Sequence, residues 1–250
     1  GYGTYLSSSS NNNVYSNTIT ASGGSEIGAY LFSSSNNNNV YSNTITTSGG
    51  FGYGAYLFSS SNNNNVYSNN ITTSNINSYG VYLTNNIRNN TIYNNNITTK
   101  NTTRSYGIYL LQNVNNNTFY RNIISSLAIG VLINGSRQTS GQTTRFNTFT
   151  NDTIVPCTAG CSSNYNDIVL TSNATDIIFT NVSMNKSRIA FVPRSLNTPI
   201  EKNNLTVRWY IDVNVTNSTN SNPIANAQVV INDSFSTNIF NSTTDANGRI

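Results

Sequence analysis

The chain has 250 residues, with 12 bases, 8 acids and no histidine, for a net charge of +4. Singly scattered Lys and Arg are not the clustered footprint of a nucleic-acid protein, and the first 87 residues carry one acid, Glu26, and no base. No segment reads as a membrane span or a signal peptide. A chain this rich in Ser, Thr and Asn would be read as disordered were its apolar residues not in strict register.

The chain opens on Gly3-Thr4-Tyr5-Leu6. The motif returns as Gly28-Ala29-Tyr30-Leu31, Gly54-Ala55-Tyr56-Leu57, Gly80-Val81-Tyr82-Leu83 and Gly107-Ile108-Tyr109-Leu110, at a 26-residue period that stretches once to 27. Gly130-Val131-Leu132-Ile133 repeats it without tyrosine. A second motif keeps the same period: Val14-Tyr15-Ser16-Asn17-Thr18-Ile19, then the copies that start at Val40, Val66, Ile92 and Phe119. Phe149 to Ile154 is a weaker copy with Asp152 at the asparagine position, and Ile178, Asn181 and Ser183 mark one more. A repeat of this length signals stacked units.

Each apolar patch is short, alternates with period two and is rich in β-branched and aromatic residues, which predicts strands. Ser, Asn and Gly clusters between the patches predict turns. Because each patch returns as its own type, stacked coils lay like over like about 4.8 Å apart, and seven or eight coils make a rod roughly 35 Å long. Val14, Val40, Val66, Ile92 and Phe119 are expected in one inner column. Ile19, Ile45, Ile71, Ile97 and Ile124 form another, and Leu6, Leu31, Leu57, Leu83 and Leu110 a third. Asn17, Asn43, Asn69, Asn95 and Asn122 are expected as a ladder at a bend, each amide bonding the next coil. The repeat glycines allow a bend or a left-handed angle. Gly23-Gly24 and Gly49-Gly50 read as outer turns.

This pattern resembles the parallel β-helix repeats of the NosD-like and carbohydrate-binding/sugar-hydrolase group. Such repeats occur in periplasmic copper-maturation proteins, polysaccharide-active enzymes, and archaeal or bacterial surface proteins. The resemblance covers residues 1–190 and implies an all-β, right-handed parallel β-helix solenoid; the matching positions are core and turn positions, so it does not by itself transfer a function. The copper role does not carry over, because copper sites favour His, Cys or Met and this chain has no histidine and one methionine, Met184.

Residues 191–203, with Pro193 and Pro199, read as a linker. From 204 the pattern changes to a long alternating strand over 205–215, a turn around Pro223 to Ala227, a strand from Ala227 to Asp233, a third from Asn238 to Thr243, and a Thr244-Asp245-Ala246-Asn247-Gly248 turn. This resembles the start of an immunoglobulin-like or carboxypeptidase-regulatory-like β-sandwich, so 204–250 is expected to be a partial sandwich. The chain starts inside a repeat and ends in what reads as a strand, the expectation for a piece of a longer protein.

Chemistry-bearing residues are few. Glycoside hydrolysis needs a carboxylate pair, and Asp152, Asp167 and Asp176 are the later acids of the repeat region; Asp152 stands in the asparagine ladder, where it replaces a turn amide. Cys157 and Cys161 either close a local disulfide, which would fit export, or remain free thiols; two thiolates do not complete a zinc shell. Two outward tyrosine columns are expected, Tyr5, Tyr30, Tyr56, Tyr82 and Tyr109, and Tyr15, Tyr41, Tyr67, Tyr93 and Tyr120. Tyr2, Tyr53, Tyr79 and Tyr106 precede repeat glycines. These rings either stabilise the sheet by stacking or present a surface to a glycan or another cell-surface protein. Asn-x-Ser/Thr sequons recur from Asn70 to Asn241. The expected function is a secreted or cell-surface structural or adhesion module without catalysis, metal or cofactor; the alternative is a polysaccharide-binding or polysaccharide-processing β-helix.

Overall fold

A computed structural model of the chain describes residues 1–135, 143–192, 202–232 and 237–250. Most of the proline-marked linker therefore lies outside the described residues. The described chain divides into two compact units, Gly1–Arg208 and Trp209–Ile250.

The first unit is a right-handed parallel β-helix. Sheet 1 stacks eight strands: Tyr2–Ser7, Glu26–Phe32, Gly52–Phe58, Tyr79–Thr84, Tyr106–Leu111, Ile129–Asn134, Asn166–Thr171 and Ile189–Val192. Sheet 2 stacks eight shorter ones, from Asn13–Tyr15 to Leu205–Arg208, and sheet 3 six, from Thr18–Ala21 to Thr153–Val155. A small sheet 4 (Ile87–Arg88, Val114–Asn115, Thr144–Arg145, Ala174–Thr175) fills one corner of the later coils.

Register follows side-chain type. Val40 lies over Val66, Val66 over Ile92, Ile92 over Phe119, and the column continues through Phe149 and Phe179 to Val207. Ile45, Ile71, Ile97, Ile124 and Ile154 form a second column, and Leu31, Leu57, Leu83, Leu110, Ile133 and Leu170 a third. All are buried. One coil alone could not bury these side chains, so each contributes its roughly 1.5–3 kcal/mol only because a neighbour covers it.

The repeat glycines are not left-handed; among glycines, positive φ falls at Gly160 and Gly248. They are needed because the backbones crowd. A Cβ on Gly54 would lie 2.5 Å from the Gly80 carbonyl oxygen and would overlap the Ile71 side chain. The left-handed corners are taken by polar residues, Ser16, Ser42, Ser68, Asn94 and Arg121 at one of them.

Two expected boundaries move. Leu205–Arg208, read as the opening of the second unit, pairs in parallel with Ile177–Thr180 as a strand of sheet 2. Ile189–Val192 carries sheet 1 beyond residue 190. The reason is packing: Val207 continues the Phe179 column, which outweighs the local alternation after 205. In the second unit Gln228–Asn232 pairs antiparallel with Asn238–Thr243. The Asp245 carboxylate accepts the backbone N–H groups of Asn247 (2.8 Å) and Arg249 (2.9 Å), a turn that seats Gly248 at φ +71°. The Arg249 N–H, foremost, holds the Asp245 carboxyl below its usual range.

Candidate functional site: an aromatic face, two amide ladders and a pair of hollows

On sheet 1 the column Tyr5, Tyr30, Tyr56, Tyr82, Tyr109 is in register. Tyr30, Tyr56, Tyr82 and Tyr109 stack with centroids 4.8–5.0 Å apart and planes within 9°. A second column, Tyr53, Tyr79 and Tyr106, stacks beside it at 5.0 and 5.1 Å and meets it edge-on, as in Tyr79–Tyr82 at 68°. The exposure of this outer column is uneven, with Tyr5 47% exposed. The rings do leave the outer side of the sheet, but the neighbouring column covers them, and Tyr30 and Tyr82 are only 8% and 9% exposed. Alternation along a strand cannot report that cover, because it comes from residues three positions back on the same and adjacent coils. Burial, followed by the neighbouring phenols Tyr2 and Tyr5, pushes the Tyr30 hydroxyl up to about 12. Burial likewise raises Tyr53, Tyr56, Tyr79 and Tyr82, so these hydroxyls stay protonated and can donate.

On sheet 2, Tyr15, Tyr41, Tyr67, Tyr93 and Tyr120 stack with centroids 4.6–5.1 Å apart and planes within 6°. Each inner ring has both faces against a neighbouring ring. What this column turns outward is ring edges and hydroxyls, which stack poorly on a sugar.

Asparagine forms two ladders. In the expected one, the backbone N–H and Nδ2 of Asn43 both donate to Asn69 Oδ1 (3.0 Å each), and Asn69 Nδ2 donates back to the Val40 carbonyl (2.9 Å) and on to Asn95 Oδ1 (3.0 Å). The ladder runs to Asn122, whose N–H and Nδ2 reach Asp152 Oδ1 at 2.7 and 2.8 Å. Asp152 is buried and its Oδ2 has no partner; burial raises its carboxyl to about 7 against the opposing pull of the Asn122 hydrogen bonds. The second ladder, Asn12, Asn38, Asn64, Asn90, Asn117 and Asn147, repeats the same bonding. Sequence reasoning missed it because every rung but Asn147 hides in a run of asparagines; its constant offset, two residues before the Val, Ile or Phe of sheet 2, was the available signal.

The other described acids of the first unit each sit in their own surroundings. Asp167 is buried: Tyr165 Oη donates to its Oδ1 (2.5 Å) and the Asn185 N–H to its Oδ2 (2.6 Å). Tyr165 Oη also accepts the Cys157 N–H (3.0 Å), and the Arg188 guanidinium lies 4.9 Å from its ring centroid. Burial first, then the Asp167 hydrogen bond, raises the Tyr165 hydroxyl to about 12. Cys157 and Cys161 are joined, S–S 2.09 Å. Glu26 is buried, with Oε2 accepting the Gly49 N–H at 2.9 Å and Oε1 without a partner. A Cβ on Gly23 or Gly49 would strike this carboxylate, so the Gly-Gly turns seat it. Asp176 is exposed at a left-handed corner.

Two hollows open where the aromatic face gives way to the later coils. One, about 290 Å³, is lined by Asn77, Tyr79, Arg104, Tyr106, Tyr109 and Leu111. The other, about 330 Å³, is lined by Thr102, Thr103, Arg104, Tyr106, Ala128, Ile129, Ser162 and Asn164. They share Arg104 and Tyr106.

The class of protein is thus a right-handed parallel β-helix solenoid with polar ladders inside and aromatic columns outside. The family model described as periplasmic copper-binding protein (NosD) matches residues 1–151, and the chain belongs to this family. No curated protein and no solved structure matches. The residues present do not fit copper. There is no histidine, the one methionine, Met184, packs against the core, both cysteines share a disulfide, and no group of three His, Cys, Asp or Glu is placed to hold a metal among the described residues. A soft or imidazole donor set is what copper requires. Among the described residues, no helix is long and apolar enough to cross a membrane.

Proposed function

We propose that the chain is an exported, non-catalytic structural or adhesion module, a stiff β-helix whose outer face serves other surface components. The observation that carries this reading is the unbroken vertical register of amide ladders and ring columns. In it the buried acids Glu26, Asp152 and Asp167 are walled into the scaffold rather than gathered in a cleft. A disulfide suits an oxidising compartment. The second unit fits an immunoglobulin-like or carboxypeptidase-regulatory-like β-sandwich. Its antiparallel pair and the exposed Tyr210, Ile211, Val230 and Ile239 support that assignment. Sequons such as Asn70, Asn89 and Asn96, exposed on the β-helix, are acceptors for glycans of its own.

The test is surface labelling of producing cells together with thiol mapping. Accessibility to an impermeant reagent and an oxidised Cys157–Cys161 pair are expected; a reduced, intracellular protein overturns the reading. Incubation with a panel of polysaccharides should release no product, and release by the purified chain would favour the processing alternative instead.

A further inference from the structure

Two adjacent hollows share Arg104 and Tyr106. Three features set them apart from the rest of the first unit. First, the tyrosine column ends there: Tyr106 lies in register with Tyr79 on one side and Ile129 on the other. Rings border two adjacent cavities here; another hollow, lined by Tyr2, Ser25, Glu26, Ile27, Phe51 and Tyr53, carries a carboxylate in place of a cation. Second, the only charge in either lining is the guanidinium of Arg104. It is exposed, held at the left-handed φ of 49°, and no described carboxylate pairs with it. Third, the far wall is fixed. The Ser162 N–H donates to the Leu127 carbonyl (2.7 Å) and the Asn166 N–H to the Ala128 carbonyl (3.2 Å), which ties down the segment that carries Ser162 and Asn164 just after the disulfide-closed loop 157–161. A site built on hydrogen-bonded backbone spends less binding free energy on ordering itself.

Each hollow, at about 290 and 330 Å³, lies near the lower end of the range of ligand clefts, about 300–1,000 Å³. The lining chemistry selects the ligand. Tyrosine rings supply apolar area with hydroxyl donors. Asn77, Ser162 and Asn164 offer amides and a hydroxyl that match sugar hydroxyls. A guanidinium offers a planar fork that fits a carboxylate through two parallel N–H···O bonds. We propose that this is a binding site for an acidic glycan, in which Arg104 pairs with a uronate carboxylate and the edges and hydroxyls of Tyr79 and Tyr106, whose faces are taken up by stacking, border the sugar. The site is independent of the structural role proposed above, since a stiff module can carry it or lack it.

Calorimetric titration of the full chain with a hexameric oligogalacturonate and with its methyl ester tests this directly, because esterification removes the charge and keeps the sugar rings and linkages. The acid is expected to bind at least about tenfold more tightly than the ester, with the preference shrinking as salt is raised. Arg104→Gln should abolish the preference, Arg104→Lys should restore part of it, and Arg121→Gln, an exposed cation at another corner, should leave it intact. Arg104 is exposed, so circular dichroism of its variants should match the parent. Equal affinity for acid and ester, an unaffected Arg104→Gln variant, or no binding of either sugar each overturns the proposal. Cleavage of the bound oligosaccharide would instead overturn the non-catalytic reading and leave the site standing.

Discussion

Coils two to five and coils six to seven of the β-helix solve one problem in two ways. The earlier coils repeat every 26 or 27 residues with polar corners that change gradually, Ser42 and Ser68 giving way to Asn94 and then Arg121 at one of them. The later coils are longer, with ladder partners 30 residues apart. They extend the ring of Phe119 with Phe149 and Phe179 where the first of the earlier coils have Val and Ile, end one ladder in Asp152, and add a disulfide loop. The regular half is held by repeated polar rungs; the irregular half relies on larger apolar side chains and a cross-link. The difference shows that the coil, not the individual residue, is the unit that packs. A coil may lengthen so long as its inner columns keep register.

The sharpest way to break the comparison is Asn69→Ala. Its side chain makes four hydrogen bonds, two accepted from Asn43 and two donated to Val40 and Asn95. Removing it strands buried donors on Asn43 and a buried carbonyl on Val40. At about 1–3 kcal/mol for each buried group left unsatisfied, the expected loss is roughly 3–5 kcal/mol, read as a lower urea midpoint. Asn17→Ala, at an exposed rung, should cost under about 1 kcal/mol because water replaces the lost bonds. Equal effects at the two positions would mean that the ladder does not carry the regular half.

Asp152 sharpens the same comparison from the other side. It occupies a rung, yet an ionised carboxylate has no proton for the position where the other rungs donate with Nδ2. Its carboxyl is raised from 3.8 to about 7 by burial. The folded state therefore holds a proton that the unfolded chain releases. Stability from this group is full below about pH 4, falls as pH rises toward 7, and stays low above it. Asp152→Asn should flatten that slope and stabilise the protein by roughly 2–4 kcal/mol at pH 8, with little change at pH 4. Denaturation curves of both proteins at the two pH values decide it, and an Asn variant with the parent's pH dependence would place the titration elsewhere.

The inner columns and the first ladder were legible in the sequence because each depends on one residue type recurring at one period: Val40, Val66 and Ile92, or Asn43, Asn69 and Asn95. The second ladder was not, because Asn38 sits among Asn36, Asn37 and Asn39 and only the backbone direction tells which one turns inward. The cover over Tyr82 was equally hidden, since it is a matter of ring orientation between coils. Arg104 carried no motif at all. It became a site residue through the hollows that the end of the tyrosine column and the Ser162 loop create beside it. Leu205–Arg208 shows the converse, a strand correctly read as a strand but assigned to the wrong sheet, since parallel and antiparallel partners look alike in a short alternating segment.

The smallest expected effect concerns the rings that neither half needs for its core. Tyr67 stacks between Tyr41 and Tyr93 at 4.8 and 4.7 Å and is half-exposed on sheet 2. Replacing it by Leu keeps β-sheet packing and apolar area but removes two ring–ring contacts, for a loss of about 1 kcal/mol. In the thermal midpoint this amounts to a few degrees. If stacking is what these columns are for, Tyr67→Leu should destabilise while leaving binding of the acidic oligosaccharide untouched, because the rings of sheet 2 have their faces closed to any ligand. A Tyr67→Leu protein of parental stability but weakened sugar binding would reverse the assignment and make the sheet 2 column, rather than the hollows at Arg104, the surface that meets the glycan.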